Sequence, residues 1–427
     1  MINGLSSPPA FALPLWIALH HLAPALFGGL SAFLVTLFLV FCCIPWLHQR
    51  VRSVVRPWVV HHVHEGLVWT RAAQDFERPW LTKLFEWSST SVSTTFYATA
   101  LPIVIWMGLP DLGLRLCILM ALSMYVGNAM KDLVCGPRPI GLVHRDSTIR
   151  FLGKGHEEAE QNAKEYGLPS SHVMNSVCFN FFTVHYLLEN DVVGPETAAG
   201  LYAAVVVWAL WIAASRLYLG LHSPIDILTG AIAGLTIVGC FIHVEDEVVA
   251  SILSGPHTLP CTLLVSLVAL RLHPRPLEYT PSYEFTASFL GASSGVVAGS
   301  ARTWPAHHAP GILLSRVAAA GAPAAARRVA LGLAMVAAAK AAARVACAAL
   351  LPLLYRFFPT TLRALWQPPV ADMCAPGAKR DPRLAALPHT AAGVPWDVEI
   401  TARYFSYFAL GWAVTEAMPR TVYAYGW

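Results

Sequence analysis

Charge is what this sequence is short of. Only 13% of its 427 residues are Asp, Glu, Lys or Arg, against 56% hydrophobic. A soluble globular chain carries about a quarter charged residues, so the composition describes an integral membrane protein. No Lys or Arg precedes Arg50. Without a basic region ahead of the apolar start, a cleaved signal peptide is not expected. The nine cysteines are scattered, most of them (Cys117, Cys178, Cys240, Cys261, Cys347) in apolar segments. That pattern excludes a disulfide framework and a cysteine metal site. A formal net charge of +4 is too small and diffuse to suit a nucleic-acid partner, and basic residues in such a chain report topology and lipid headgroups. No repeat of 20–50 residues is present, so a solenoid is excluded.

What the sequence does have is apolar runs separated by short polar clusters. Spans are expected at Leu22–Trp46, Ser89–Leu109, Leu112–Met130, Val173–Leu188, Leu201–Ala214 and Ile225–Phe241. Two more are expected at Thr258–Leu272 and Phe285–Ser300, and a last one at Ile400–Ala417. Thr258–Leu272 is short for a crossing that takes about 20 residues. The alanine-rich stretch Val317–Leu351 carries Lys340 and Arg344 one turn apart, and both a span and an interfacial helix fit it. Pro376–Pro395 reads as a polar loop. The organisation expected is an N-terminal span and basic interfacial segment (1–83), a helical catalytic core (84–243), and further membrane helices and loops (244–427). His61, His62 and His64 lie in the basic segment. With no nearby cysteine pair or spaced carboxylates to complete a metal site, they read as an interfacial face.

Three polar clusters stand out. They are Lys131-Asp-Leu-Val-Cys-Gly-Pro-Arg138-Pro, Pro169-Ser170-Ser171-His172, and Ser215-Arg216 with His222 and Asp226. Following the spans back and forth brings all three to one face of the membrane. Ionisable groups at that level are costly and mark working sites. Each also has a plainer reading. Ser223-Pro-Ile-Asp226 fits a capping box with proline at the first helical position. Lys131 and Arg138 resemble ordinary span anchors, and Ser170 or Ser171 is a common N-cap. These accounts leave Arg216 and His222 unexplained.

The chemistry the set suits is phosphoryl transfer. Lys131, Arg138 and Arg216 can neutralise a phosphate dianion and its transition state, and the amides near Ser170 begin a helix, where an anion is favoured. Two histidines and a carboxylate then divide the rest: one imidazole attacks phosphorus while the carboxylate orients it, and the other protonates the leaving oxygen.

The three clusters resemble the motifs of the type 2 phosphatidic acid phosphatase superfamily, K-x6-RP, PSxH and SR-x5-H-x3-D, with every spacing matched between Lys131 and Asp226. The resemblance implies an all-α polytopic fold with a six-helix core, to which this chain adds C-terminal helices. It also implies metal-independent hydrolysis without a cofactor, through a phosphohistidine. By position His222 would be the nucleophile, Asp226 its orienting acid and His172 the general acid. Lys131, Arg138, Ser170, Ser171 and Arg216 would hold the phosphate. Ser171 stands where the superfamily commonly has glycine. That departure and the flanking residues most resemble the sphingosine-1-phosphate and long-chain-base-phosphate phosphatases.

The expected partner is therefore a phosphorylated lipid, in the endoplasmic-reticulum membrane. Phosphatidic acid or polyprenyl diphosphate hydrolysis, transfer to another acceptor, and a non-catalytic lipid transporter or binding relative are the alternatives. A soluble vanadate haloperoxidase shares the motifs, and the hydropathy argues against it. Orientation pulls two ways. The count of Lys and Arg puts the catalytic face in the cytoplasm, whereas the family implies a lumenal site, and the lumenal face is the expectation.

Overall fold

A computed structural model describes residues 45–142, 149–153, 165–308, 312–357 and 396–424. The described residues are helices joined by turns, without a strand. In chain order they are α1 (Pro45–Gln74), α2 (Pro79–Thr90), α3 (Thr94–Trp106), α4 (Pro110–Val134), α5 (Ser171–Glu189), α6 (Pro195–Tyr218) and α7 (Pro224–Ile242). Then follow α8 (Glu245–Ser254), α9 (Thr258–Leu272), α10 (Ser282–Thr303), α11 (Ile312–Leu354), α12 (Trp396–Trp412) and α13 (Met418–Ala424). The expected first span and the Pro376–Pro395 loop lie outside the described residues, apart from the start of α1.

Proline starts much of this fold. Pro79, Pro110, Pro195 and Pro224 each occupy the first turn of a helix, where the missing N–H costs nothing and the fixed φ is already helical. α4 is the hub. Its 25 residues make a rod of about 37 Å, mostly buried among its neighbours. One core cluster joins it to α3, α5 and α7 through Tyr97, Leu116, Met120, Met174, Phe182 and Phe241. A second joins it to the C-terminal helices through Trp106, Leu114, Val297, Val336 and Leu410. Within the second, the indole N–H of Trp106 donates to the Val414 carbonyl at 3.0 Å. α10 and α12 run against each other on glycine: a Cβ on Gly295 would strike the Phe408 carbonyl, which is the small-residue route to close helix packing in a membrane.

Among the described residues, α4, α6, α7 and Gly321–Leu354 of α11 are long and apolar enough to cross a membrane. The alanine-rich stretch is thus one long apolar helix, entered through a kink at Gly321. Several expectations change. The spans expected at Val173–Leu188, Thr258–Leu272, Phe285–Ser300 and Ile400–Ala417 fall on α5, α9, α10 and α12, which are not among these four. The run Ser89–Leu109 is not one span: the chain turns at residues 91–93, where the Ser93 side chain accepts the Phe96 N–H at 3.1 Å and caps a new helix. The 13 residues of α3 then reach only about 20 Å. The basic segment, in turn, contains a 30-residue helix, α1. Val59 and Val63 of α1 pack on Val134 and Leu168, and Arg52 donates to the Leu133 and Asp132 carbonyls at 3.0 and 2.9 Å. Arg56 donates to the Cys135 carbonyl at 3.0 Å. Cations here satisfy the orphan carbonyls at the α4 C-terminus. α1 thereby lies against the end of the bundle where the polar clusters meet.

Candidate active site

Each functional side chain comes from the end of a helix. Lys131 sits in the last turn of α4, which stops at Cys135 in the left-handed region (φ 55°). The reversal carries the chain on to Arg138. α6 delivers Arg216 in its last turn, and the Arg216 carbonyl accepts the N–H groups of Leu221 and His222 at 3.1 and 3.3 Å. That tight return fixes His222 relative to Arg216. It passes through Gly220 at φ +75°, where a Cβ would also lie 2.6 Å from the Arg150 carbonyl, so glycine is required twice over. α7 begins at Pro224 with Asp226 in its first turn.

α5 begins at Ser171, with Ser170 at its N-cap position and His172 in its first turn. The Ser170 N–H donates to the Asp226 carbonyl at 2.9 Å, which locks the start of α5 against the start of α7. Gly230 makes room for this contact: a Cβ there would stand 2.7 Å from the Ser170 carbonyl.

The Nδ1 atom of His222 and Oδ2 of Asp226 lie 3.6 Å apart, with both side chains buried. The same carboxylate oxygen accepts the Ser223 N–H at 2.8 Å and the Ser223 hydroxyl at 2.9 Å. Asp226 therefore caps α7 with the same oxygen that lies nearest the His222 imidazole. Arg216 donates to the Ser89 hydroxyl at 3.2 Å. Burial holds the His222 imidazole well below its ordinary range, and the charges of Arg138, Arg216, Lys131 and His172 push the same way. His222 thus stands neutral, within electrostatic reach of three cations and the second histidine. Ser170 Oγ, His222 Nδ1 and Asp226 Oδ1 are buried with no hydrogen-bond partner among the described residues. Cations, open hydroxyl and imidazole atoms and a helix N-terminus meet here, an arrangement whose chemistry suits an oxyanion.

Of the sequence-derived candidates, Lys131, Arg138, Ser170, His172, Arg216, His222 and Asp226 come together here. Ser171 stands at the first position of α5, half-buried. Two partners were missed. Ser89, which anchors Arg216, was read as the start of a span. Glu165 is the other: its Oε2 accepts from Arg138 Nη2 at 2.6 Å and from Lys131 Nζ at 3.3 Å. The signal for Glu165 was an acid five residues ahead of Ser170, where the motifs ask for cations. His61 instead pairs with Glu65 at 3.2 Å and His62 Nδ1 faces the Trp58 carbonyl, and among the described residues no group of three potential ligands could hold a metal ion.

Helices that bring two histidines, a carboxylate and three cations to one end of a membrane bundle define a class, the membrane-embedded phosphoryl-transfer enzymes. Residues 112–249 match the model of the PAP2 superfamily. The chain is 30% identical to lipid phosphate phosphatase delta of Arabidopsis thaliana over 87% of its own length and 89% of that protein's. It is 28% identical to a dihydrosphingosine 1-phosphate phosphatase of Schizosaccharomyces pombe, over 54% of this chain and 53% of that one. It is also 30% identical to sphingosine-1-phosphate phosphatase 2 of Homo sapiens, over 51% of each. The chain thus spans about half the length of these sphingosine-type relatives. No solved structure matches it. The chain belongs to the PAP2 superfamily of lipid phosphatases, a phosphoric monoester hydrolase in a membrane-helical fold.

Proposed function

We propose that the protein hydrolyses sphingoid-base 1-phosphates through a phosphohistidine on His222. The observation that carries the mechanism is the buried His222–Asp226 pair facing Lys131, Arg138 and Arg216. With Nδ1 turned to Asp226, the proton belongs on Nδ1, and Nε2 keeps the lone pair that attacks phosphorus. The three cations, with Ser170, Ser171 and the amides at the start of α5, hold the phosphoryl oxygens and take up the charge of the transition state. The bond from phosphorus to the ester oxygen breaks as the bond to Nε2 forms. Burial, and after it the charges of Arg216, Arg138 and Lys131, disfavour a charged His172; the bound dianion offsets those cations, and His172 gives its proton to the departing oxygen. Water, deprotonated by His172, then cleaves the P–N bond, releasing phosphate and restoring both histidines.

The sphingoid substrate is supported by the names of the yeast and human relatives. The more general name of the Arabidopsis relative, which aligns over most of its length, supports a wider lipid-phosphate range as the second reading. The unit that carries the chemistry is the 84–243 core, with α1 of the 1–83 segment across its polar end and α8 to α13 of the 244–427 segment as added helices. We assign the protein to the endoplasmic-reticulum membrane with its site facing the lumen. The test is phosphate release by detergent-purified protein from dihydrosphingosine 1-phosphate, sphingosine 1-phosphate, phosphatidic acid and a polyprenyl diphosphate, with His222→Ala as blank. Preference for the two sphingoid phosphates is expected. Equal rates on all four would leave a general lipid phosphatase.

A further inference from the structure

Glu165 is an anomaly in an anion site. Its Oε2 atom lies 2.6 Å from Arg138 Nη2 and 3.3 Å from Lys131 Nζ, two of the three cations of the candidate site. A carboxylate oxygen that bridges them stands where an oxygen of the substrate's phosphate would sit. The segment that carries it is held firmly. Gly167 N–H donates to the Gly136 carbonyl at 2.8 Å, the Tyr166 hydroxyl accepts from the Glu278 N–H at 3.1 Å, and a Cβ on Gly167 would stand 3.0 Å from Asp226 Oδ2.

Lys131 and Arg138 are nearly closed off, at 5% and 4% side-chain exposure, whereas Glu165 retains 22%. The carboxylate is therefore the most exposed member of the three. Burial would raise its pKa, yet Lys131 and Arg138 together hold it below the ordinary carboxylate value, so it is charged whenever the site is empty.

A phosphate entering this cradle displaces the carboxylate from its two cations. A half-buried anion left beside an incoming dianion is costly unless a new cation reaches it. Phosphatidic acid offers none. A sphingoid-base 1-phosphate does, because its ammonium sits two carbons from the phosphate ester oxygen, the reach of a group that has just been pushed off that phosphate's own seat. We propose that Glu165 is the specificity-determining residue of the site, a carboxylate that passes from Lys131 and Arg138 to the ammonium of the substrate. The inference rests on the sphingoid reading above and gives that reading a physical cause: an amine-bearing substrate pays back the ion pair it breaks, and an amine-free one does not.

The experiment compares kcat/KM on sphingosine 1-phosphate, ceramide 1-phosphate and phosphatidic acid for wild type, Glu165→Gln and Glu165→Asp in detergent, with inhibition by inorganic phosphate measured alongside. Ceramide 1-phosphate keeps the chain and phosphate but its nitrogen is an uncharged amide. In Glu165→Gln, kcat/KM on sphingosine 1-phosphate should fall at least tenfold while the two amine-free lipids are unchanged or improved. Inorganic phosphate should inhibit that variant at lower concentration, because its competitor is gone. Glu165→Asp should keep the wild-type order of preference. A uniform loss on all three lipids, or an unchanged preference in Glu165→Gln, overturns the proposal and leaves Glu165 a structural counter-ion. A wild type without preference for the sphingoid phosphate overturns the substrate reading itself, a result visible before any variant is made.

Discussion

His222 and Asp226 stand one helical turn apart in sequence, on either side of a helix start, and their side chains come to 3.6 Å with both buried. The Asp226 oxygen nearest the imidazole also caps α7 through the Ser223 N–H at 2.8 Å. One carboxylate thus caps a helix and stands beside the candidate nucleophile, so capping and the proposed orienting role can be separated by mutation.

Asp226→Asn keeps an oxygen that can accept the Ser223 N–H but removes the charge. Its thermal stability should stay within about 1 kcal/mol of wild type, the scale of a single cap, while kcat falls by about 10² or more, the usual worth of a lost acid–base partner. Asp226→Ala should lose both. Thermal unfolding in detergent alongside phosphate release reads the two effects. Equal activity in Asn and wild type would remove Asp226 from the mechanism.

His222→Ala removes the nucleophile and should abolish turnover on every lipid, with the protein still eluting as a monodisperse species. His172→Ala should slow both formation and breakdown of the phosphoenzyme, since one imidazole serves both steps. Labelling from a ³²P substrate, quenched in base where a phosphohistidine survives, measures the intermediate. Turnover retained by His222→Ala would contradict the covalent route.

Chelation should leave the rate unchanged, because cations of the chain itself surround the histidines and no potential three-ligand group occurs among the described residues. The measurement is phosphate release before and after EDTA. Loss of activity restored by magnesium would overturn a metal-independent mechanism.

The neutral His222 gives stability a direction with pH. Burial and the neighbouring cations hold its folded pKa well below 6.5, so below pH 6.5 the unfolded state takes up a proton that the folded state refuses. Stability from this group is present above pH 6.5 and is lost as pH falls below it, by at most about 1.4 kcal/mol per pH unit. His222→Gln should therefore show a shallower loss of melting temperature between pH 6.5 and 5 than wild type. Parallel curves would mean that His222 titrates alike in both states.

Gly230 lies outside the motifs, one turn beyond Asp226, yet a Cβ there would stand 2.7 Å from the Ser170 carbonyl. Gly230→Ala should push the start of α5 away from α7, and with it Ser170 and His172. Small displacements of positioned groups cost about 10²-fold, so kcat/KM should drop by one to two orders of magnitude. An unchanged rate would show that this contact has slack.

The sequence by itself determined the family and the residues of the candidate site. Lys131, Arg138, His172, Arg216, His222 and Asp226 were legible because charged groups at span ends are rare and costly, and because their spacing along each helix end is local. The spans α4, α6 and α7 were legible for the same reason, since a long apolar run has few other uses. The tertiary structure decided what depends on neighbours distant in the chain. The turn at residues 91–93 sits in a Ser/Thr stretch (residues 88–95), whose near-neutral hydropathy lets it merge into the apolar run that follows. α1 reads as a basic surface, yet Arg52 and Arg56 are spent on the carbonyls that end α4. Ser89 meets Arg216 across 127 residues. Glu165 shows the limit most plainly: in the sequence it is one acid in a polar loop. Only the fold brings it between Lys131 and Arg138, because ion pairing in a buried site is set by distance in space and leaves no periodic trace along the chain.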